Sequence, residues 1–197
     1  MERNHRIELQ YDGTGLHGWA KQEDLPTVEG SLESALRQAL GYAPALHVAG
    51  RTDAGVHARR QVVSLALSAG TDLGRLVRSL NALTEPGIAV TRLTPAPPRF
   101  DARKDATSRV YRYFVTTSPV VSPFWRRYCW QVPGGTDLPA LRAAAEATMG
   151  RHDFTAFTPA ETEHVFFDRL VMRCAWKTAR EGLVPAGPTG PAGRAAG

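Results

Sequence analysis

Between Ile7 and Leu93 the apolar residues change period in a fixed order, and that order limits the fold more than any single residue does. Ile7, Leu9 and Tyr11 alternate with polar residues, the period of a half-buried strand. Thr27 offers a helix N-cap, and Val28, Leu32, Ala35, Leu36, Ala39 and Leu40 form an apolar helical stripe that ends near Gly41. Leu46 to Ala49 is a short apolar run, and Gln61 to Leu67 has the β-branched and leucine content of a buried strand. Asp72 can cap a second helix that turns Leu73, Leu76, Val77, Leu80 and Leu83 inward. Ile88, Val90 and Leu93 then make a closing strand.

Strand, helix, strand, strand, helix, strand is the split βαβ, or ferredoxin-like, unit, and residues 1–98 read as one such domain. A second pass starts with a strand from Arg109 to Thr117 and a strand near Arg126 to Val132. A helix from about Asp137 to Met149 follows, with Gly150 as its terminator, and then a long strand from about His164 to Thr178. The strand, helix and strand expected next do not follow, so residues 99–181 read as an incomplete second half. Residues 182–197 are mostly Gly, Ala and Pro, which bury too little apolar surface to offset chain entropy and read as a disordered tail. The expectation is an α+β chain of two ferredoxin-like halves. Residues 6–94 are expected to hold together more firmly than the rest.

Between the second and third predicted strands lies Gly50-Arg51-Thr52-Asp53-Ala54-Gly55-Val56-His57-Ala58, a tight polar loop with a carboxylate, a guanidinium and an imidazole. Asp and Gly are turn residues for purely local reasons, so an ordinary hairpin connection accounts for an isolated Asp-Ala-Gly. A carboxylate mounted between two strands also suits a catalytic role. The nonapeptide resembles, position for position, the catalytic motif of the TruA-type tRNA pseudouridine synthases.

Three further segments carry the same resemblance. Tyr11-Asp12-Gly13-Thr14-Gly15-Leu16-His17-Gly18-Trp19 is similar to the family's opening strand and turn, and Gln22 and the Thr27-Val28 helix start also fit. Ala20 stands where the family usually has glutamine. Arg99 to Arg103 with Arg109-Val110-Tyr111-Arg112-Tyr113 is similar to the segment that supplies an active-site tyrosine, and Gly150 to Phe157 resembles a fourth signature. The resemblance implies a pseudouridine synthase fold, Asp53 as the catalytic residue, and Arg51 and Tyr111 as substrate-binding residues. It also implies a homodimer acting on the anticodon stem-loop of tRNA. The family normally continues with a helix and strand bearing a basic partner for the aspartate, and no match to that segment is present. Truncation, a frameshift or a fragment would each account for this.

Composition is compatible with such a partner without requiring it. The chain has 197 residues and a net charge of +5, a basic excess suited to a polyanion. Arg99, Arg103, Lys104, Arg109, Arg112, Arg126 and Arg127 are opposed only by Asp101 and Asp105, with Tyr111, Tyr113, Phe124 and Trp125 interleaved. Cations mixed with aromatics suit structured RNA, where phosphates position the molecule and bases stack; a solvated charged face has the same composition. Arg59 and Arg60, directly after the loop, join the RNA-binding candidates. Tyr111 sits in an alternation of Arg109, Tyr111 and Tyr113 that equally describes sheet packing.

Isomerising uridine to pseudouridine is redox-neutral and adds no atoms, so neither a metal nor a cofactor is expected. The two cysteines and six histidines have no metal-ligand spacing. The two lone cysteines, a charged N-terminus and the lack of a membrane-length apolar run point to a reducing, cytoplasmic setting. His57 is expected to shape its loop and His152 to cap or pack at a helix end. A truncated, inactive RNA-binding fragment or pseudoenzyme of the family is the alternative reading. A metal-free hydrolase using Asp53 and His57 is disfavoured, because no second carboxylate partner is evident.

Overall fold

The computed structural model describes residues 1–132, 134–158 and 166–178, which divide into two compact units. The first runs from Met1 to Tyr111 and the second begins at Arg112. Together they make a mixed α and β chain with an antiparallel sheet and, among the described residues, three α-helices.

In the first unit β1 (Glu2–Tyr11), α1 (Val28–Leu40), β2 (His47–Val48), β3 (Ala58–Ser68), α2 (Leu73–Leu83) and β4 (Ile88–Pro95) follow in sequence. The four strands form one sheet in the order β2-β3-β1-β4, with every pairing antiparallel. Ile7, Leu9 and Tyr11 of β1 and Val63, Leu65 and Leu67 of β3 are buried with Val28, Leu32, Ala35 and Leu36 of α1 and Leu76 and Leu80 of α2. Each fully buried side chain of this size contributes about 1.5–3 kcal/mol, which fixes the register because a one-residue slip would turn the set to solvent. On β4 the spacing between Val90 and Leu93 is explained by a bulge: the register with β1 shifts between Glu8 and Leu9, and Thr91 and Arg92 both face water.

The helix ends follow local chemistry. Thr27 Oγ1 accepts from Gly30 N, Asp72 from Arg75 N, and α1 ends on Gly41 at φ 82 in the left-handed region. Leu83, expected inward, is instead 40% exposed, because it is the last residue of α2 and the backbone turns away at Thr84. The segment after β4 stays with the first unit. Ala102 is buried and its N–H donates to Ser64 Oγ at 2.9 Å.

The second unit departs from its expected pattern. β5 (Val115–Thr116) and β6 (Trp130–Gln131) are two-residue strands that pair in parallel. The strand expected over 109–117 is therefore confined to two residues, since its remaining residues have no ladder partner among the described ones. The strand expected from Arg126 begins only at Trp130, because Ser122–Cys129 winds into turns: Ser122 O accepts from Trp125 N and Arg126 N, and Trp125 O from Tyr128 N and Cys129 N. Pro123, preset for a first helical turn, favours that winding. α3 (Leu138–Ala147) is capped by Asp137 and ends at Thr148, whose Oγ1 donates to Ala145 O. Gly150, expected as its terminator, lies instead in β7 (Gly150–Asp153), at φ 100. β7 pairs with β8 (Asp168–Val171), to which the long strand predicted from 164 to 178 is reduced. Residues 164 and 165, and the 182–197 tail, lie outside the described residues.

Glu8 is the electrostatic centre of the face of β1 opposite the core. Its carboxylate meets Arg6 Nη2 at 2.9 Å and Arg60 Nε at 3.0 Å, and its side chain is 12% exposed. Burial alone would raise its pKa; the Arg60 hydrogen bond and the charges of Arg6, Arg60 and Arg92 outweigh burial and hold it below the ordinary value. A depressed carboxylate pKa contributes stability that is present above the unfolded-state value of about 4.3 and is lost as pH falls through the folded-state value. Glu8→Gln should therefore lower the urea midpoint at neutral pH and flatten its fall on acidification. Equal acid sensitivity in both proteins would show that Glu8 does not set it.

Candidate active site

The loop between β2 and β3 is held by the turn that follows β1, so the two sequence motifs meet in space. Trp19 N donates to Thr52 O at 2.8 Å, and Gly55 N donates to Leu16 O at 3.1 Å. Tyr11 Oη and Thr52 Oγ1 are 2.8 Å apart. Gln61 Nε2 donates to Gly50 O at 2.8 Å and to Tyr11 Oη at 3.2 Å. Trp19 is fully buried beneath this contact, its ring tilted against Tyr11 at 6.4 Å between centroids.

Two glycines allow the approach. A Cβ on Gly13 would lie 2.3 Å from Val56 O, and one on Gly18 would lie 2.7 Å from Thr52 O. Gly18 also sits at φ 87, where an L side chain is strained. Close backbone crossing is thus built into the turn.

On this fixed backbone Asp53 is exposed. Among the described residues no hydrogen bond or ion pair engages its carboxylate, and Val56 N donates to its carbonyl at 3.2 Å to close the turn. Arg51 is exposed on the same loop without an ion pair to Asp53. His57 Nδ1 lies 3.1 Å from Gly13 N and 2.9 Å from Asp12 Oδ1, and can serve only one of them at a time: bare, it accepts from Gly13, and protonated, it faces Asp12. His57 thus fastens the loop's far end to the opposite turn.

Arg109 reaches the entry of the loop. Its Nε donates to Ala49 O at 3.1 Å, with Nη2 on the same oxygen, and the guanidinium crosses Gly50. Tyr111 lies outside any strand and is 71% exposed, so sheet packing does not account for it.

The remaining basic candidates divide between the units. Arg59, Arg60, Arg99, Arg103 and Lys104 are exposed on the first, Arg60 being paired with Glu8, and Arg112, Arg126 and Arg127 are exposed on the second. Arg103 and Lys104 are carried on a turn whose backbone N–H groups donate to Asp101 Oδ1, an arrangement that lowers the Asp101 pKa, the Lys104 N–H first. His152 Nε2 contacts Met149 O at 2.8 Å, just beyond α3. Among the described residues no group of three or more His, Cys, Asp or Glu gathers as a metal site, and no helix is long and apolar enough to cross a membrane.

Sequence reasoning missed Gln61, Thr52 and the hydroxyl of Tyr11 as site residues. The available signal was Tyr11 itself, since a phenol at a buried strand position requires a polar partner.

Comparison with known proteins identifies the family of the chain. No family model matches it. It is 39% identical over 175 residues to tRNA pseudouridine synthase A of Chlorobium chlorochromatii, a match covering 88% of this chain and 71% of the relative. The protein of the same name from Frankia casuarinae is 46% identical over 77% of this chain and 56% of its own length, and that of Neisseria meningitidis 42% identical over 80% and 60%. The chain belongs to the tRNA pseudouridine synthase A family. It spans less than two thirds of the length of most of these relatives, between 56% and 71% across the three.

The clamp makes a structural prediction. Gly18→Ala should destabilise the first unit by about 1–3 kcal/mol, from the left-handed backbone and the Thr52 contact together. Urea denaturation measures it. A midpoint equal to that of wild type would mean that the loop yields freely at this crossing.

Proposed function

We propose that the chain carries the isomerase chemistry of its family, converting uridine to pseudouridine in tRNA, with Asp53 as the catalytic carboxylate. The observation that supports this most is the loop: a family-matching aspartate, exposed and without a side-chain partner among the described residues, on a backbone clamped on both sides. The reaction breaks the bond between ribose C1′ and uracil N1, turns the detached base, and joins C1′ to C5, whose proton is lost while N1 gains one. A carboxylate serves as nucleophile or base in that sequence.

The finer assignments rest on the same reading. The first unit is proposed as a ferredoxin-like half, supported by the β2-β3-β1-β4 order, the antiparallel pairing and the two connecting helices. The substrate region is proposed as the anticodon stem-loop and the working form as a cytoplasmic homodimer. A base within an RNA helix is unreachable, so the target must be flipped out, and the exposed ring of Tyr111 offers it a stacking face. Arg51 is proposed as a grip on the flipped nucleotide. Arg59, Arg99, Arg103, Lys104, Arg112, Arg126 and Arg127 are proposed as phosphate contacts, as are Arg60 and Arg109 beyond their protein partners.

Asp53→Asn should reduce pseudouridine formation to background while tRNA affinity stays within a few-fold, because phosphate contacts dominate binding. Wild-type and variant chains are compared by scoring pseudouridine in tRNA and by titrating tRNA. Turnover near the wild-type rate would remove Asp53 from the mechanism; tight binding by a wild-type chain that never turns over would favour the RNA-binding reading.

Tyr111→Ala should cost roughly 1–3 kcal/mol of stacking, with Tyr111→Phe close to wild type in RNA binding. Competition binding and rates on both variants decide it. An alanine variant indistinguishable from wild type would return Tyr111 to an incidental surface residue.

A further inference from the structure

The Asp53 carboxylate has no side-chain partner among the described residues, so its direction depends on how the backbone beside it is held. Among those residues a single side chain hydrogen-bonds to any of Arg51, Thr52 and Asp53: Tyr11, through Thr52 Oγ1 at 2.8 Å. Tyr11 is 2% exposed and ends β1, inside the core of the first unit.

The polarity of the network can be assigned. Gln61 Oε1 accepts from Val62 N, which turns the amide Nε2 toward Tyr11 Oη and Gly50 O. The phenol oxygen therefore receives a hydrogen bond from Gln61 and gives its own proton to Thr52 Oγ1. Burial raises the Tyr11 pKa against the lowering effect of its bonds to Thr52 and Gln61, so the phenol keeps that proton. Gln61, itself 7% exposed, holds the start of the loop at Gly50 and orients the phenol that holds its middle.

We propose that Tyr11 is a positioning residue for the Asp53 loop: its buried hydroxyl, oriented by Gln61, fixes Thr52 and so sets the direction in which Asp53 is presented. The proposal rests on the reading of Asp53 as catalytic. Tyr11 is 2% exposed and offers almost no surface to a substrate, so its loss should appear in turnover and not in tRNA affinity. The Trp19 and Gly55 backbone bonds remain when the hydroxyl is removed, so the loop should loosen without detaching.

The test uses the full 197-residue chain with Tyr11→Phe, Thr52→Val, Thr52→Ser and the Tyr11→Phe/Thr52→Val double variant. Two readouts are taken: amide exchange at Trp19, Gly55 and Val56, and pseudouridine formation across a range of tRNA concentrations. Tyr11→Phe and Thr52→Val should each speed exchange about tenfold, the scale of one lost hydrogen bond. Each should lower kcat by about ten- to a hundredfold, the scale of a small misplacement, with KM within about twofold. Thr52→Ser, which keeps the hydroxyl, should match wild type, and the double variant should be no worse than either single one. Unchanged exchange in Tyr11→Phe, faster exchange with unchanged kcat, or additive effects in the double variant would each overturn the proposal. A wild-type chain that forms no pseudouridine removes the functional reading instead, and the exchange comparison with its Thr52→Ser control alone then decides whether the hydroxyl holds the loop.

Discussion

The grip of the Tyr11–Trp19 turn on Thr52 is the interaction on which the candidate site depends. Thr52 is held at its carbonyl by Trp19 N and at its hydroxyl by Tyr11, from two sides of one residue. Each such bond has a modest net worth of about 0.5–1.5 kcal/mol, but a buried group left unpaired costs about 1–3. The contact therefore resists partial opening. It also has a cost of its own: the Trp19 indole Nε1 is buried with no partner among the described residues.

Chemistry and support are separated in this arrangement. The groups proposed to meet a substrate, Arg51, Asp53 and Tyr111, are exposed, while the groups that hold the loop, Tyr11, Trp19 and Gln61, are buried in the sheet and its helices. Arg109 contributes from outside, donating to the carbonyl of Ala49 just before the loop. A catalytic carboxylate benefits from this division, because a pre-set direction avoids reorganisation during the reaction.

The two units differ in how much apolar surface they bury. The main core cluster lies wholly in the first unit, between Ile7 and Leu93, whereas Ala145 is the buried hydrophobic residue described in the second. Tyr113, Phe124, Trp130, Phe157 and Phe166 are each at least 68% exposed. The two-residue strands β5 and β6 follow the same logic, since short strands without a broad apolar face to pack give little stability.

Local signals were legible in the sequence. Thr27 and Asp72 cap the helices expected of them, because an N-cap acts on backbone groups two or three residues away, and Gly41 ends α1 for an equally local reason. The strands of the first unit were legible because alternation and burial agree. In the second unit the helix was legible as α3 but the strands were not, because a strand at 109–117 or 164–178 needs a ladder partner that periodicity does not supply. At the site, the sequence alone determined the chemistry on offer, the Asp53 loop and its resemblance to a family of tRNA-modifying enzymes. Only the tertiary structure decided that Tyr11, Gln61 and Gly18 hold that loop, since residues tens of positions apart meet only once the sheet places β1 beside β3.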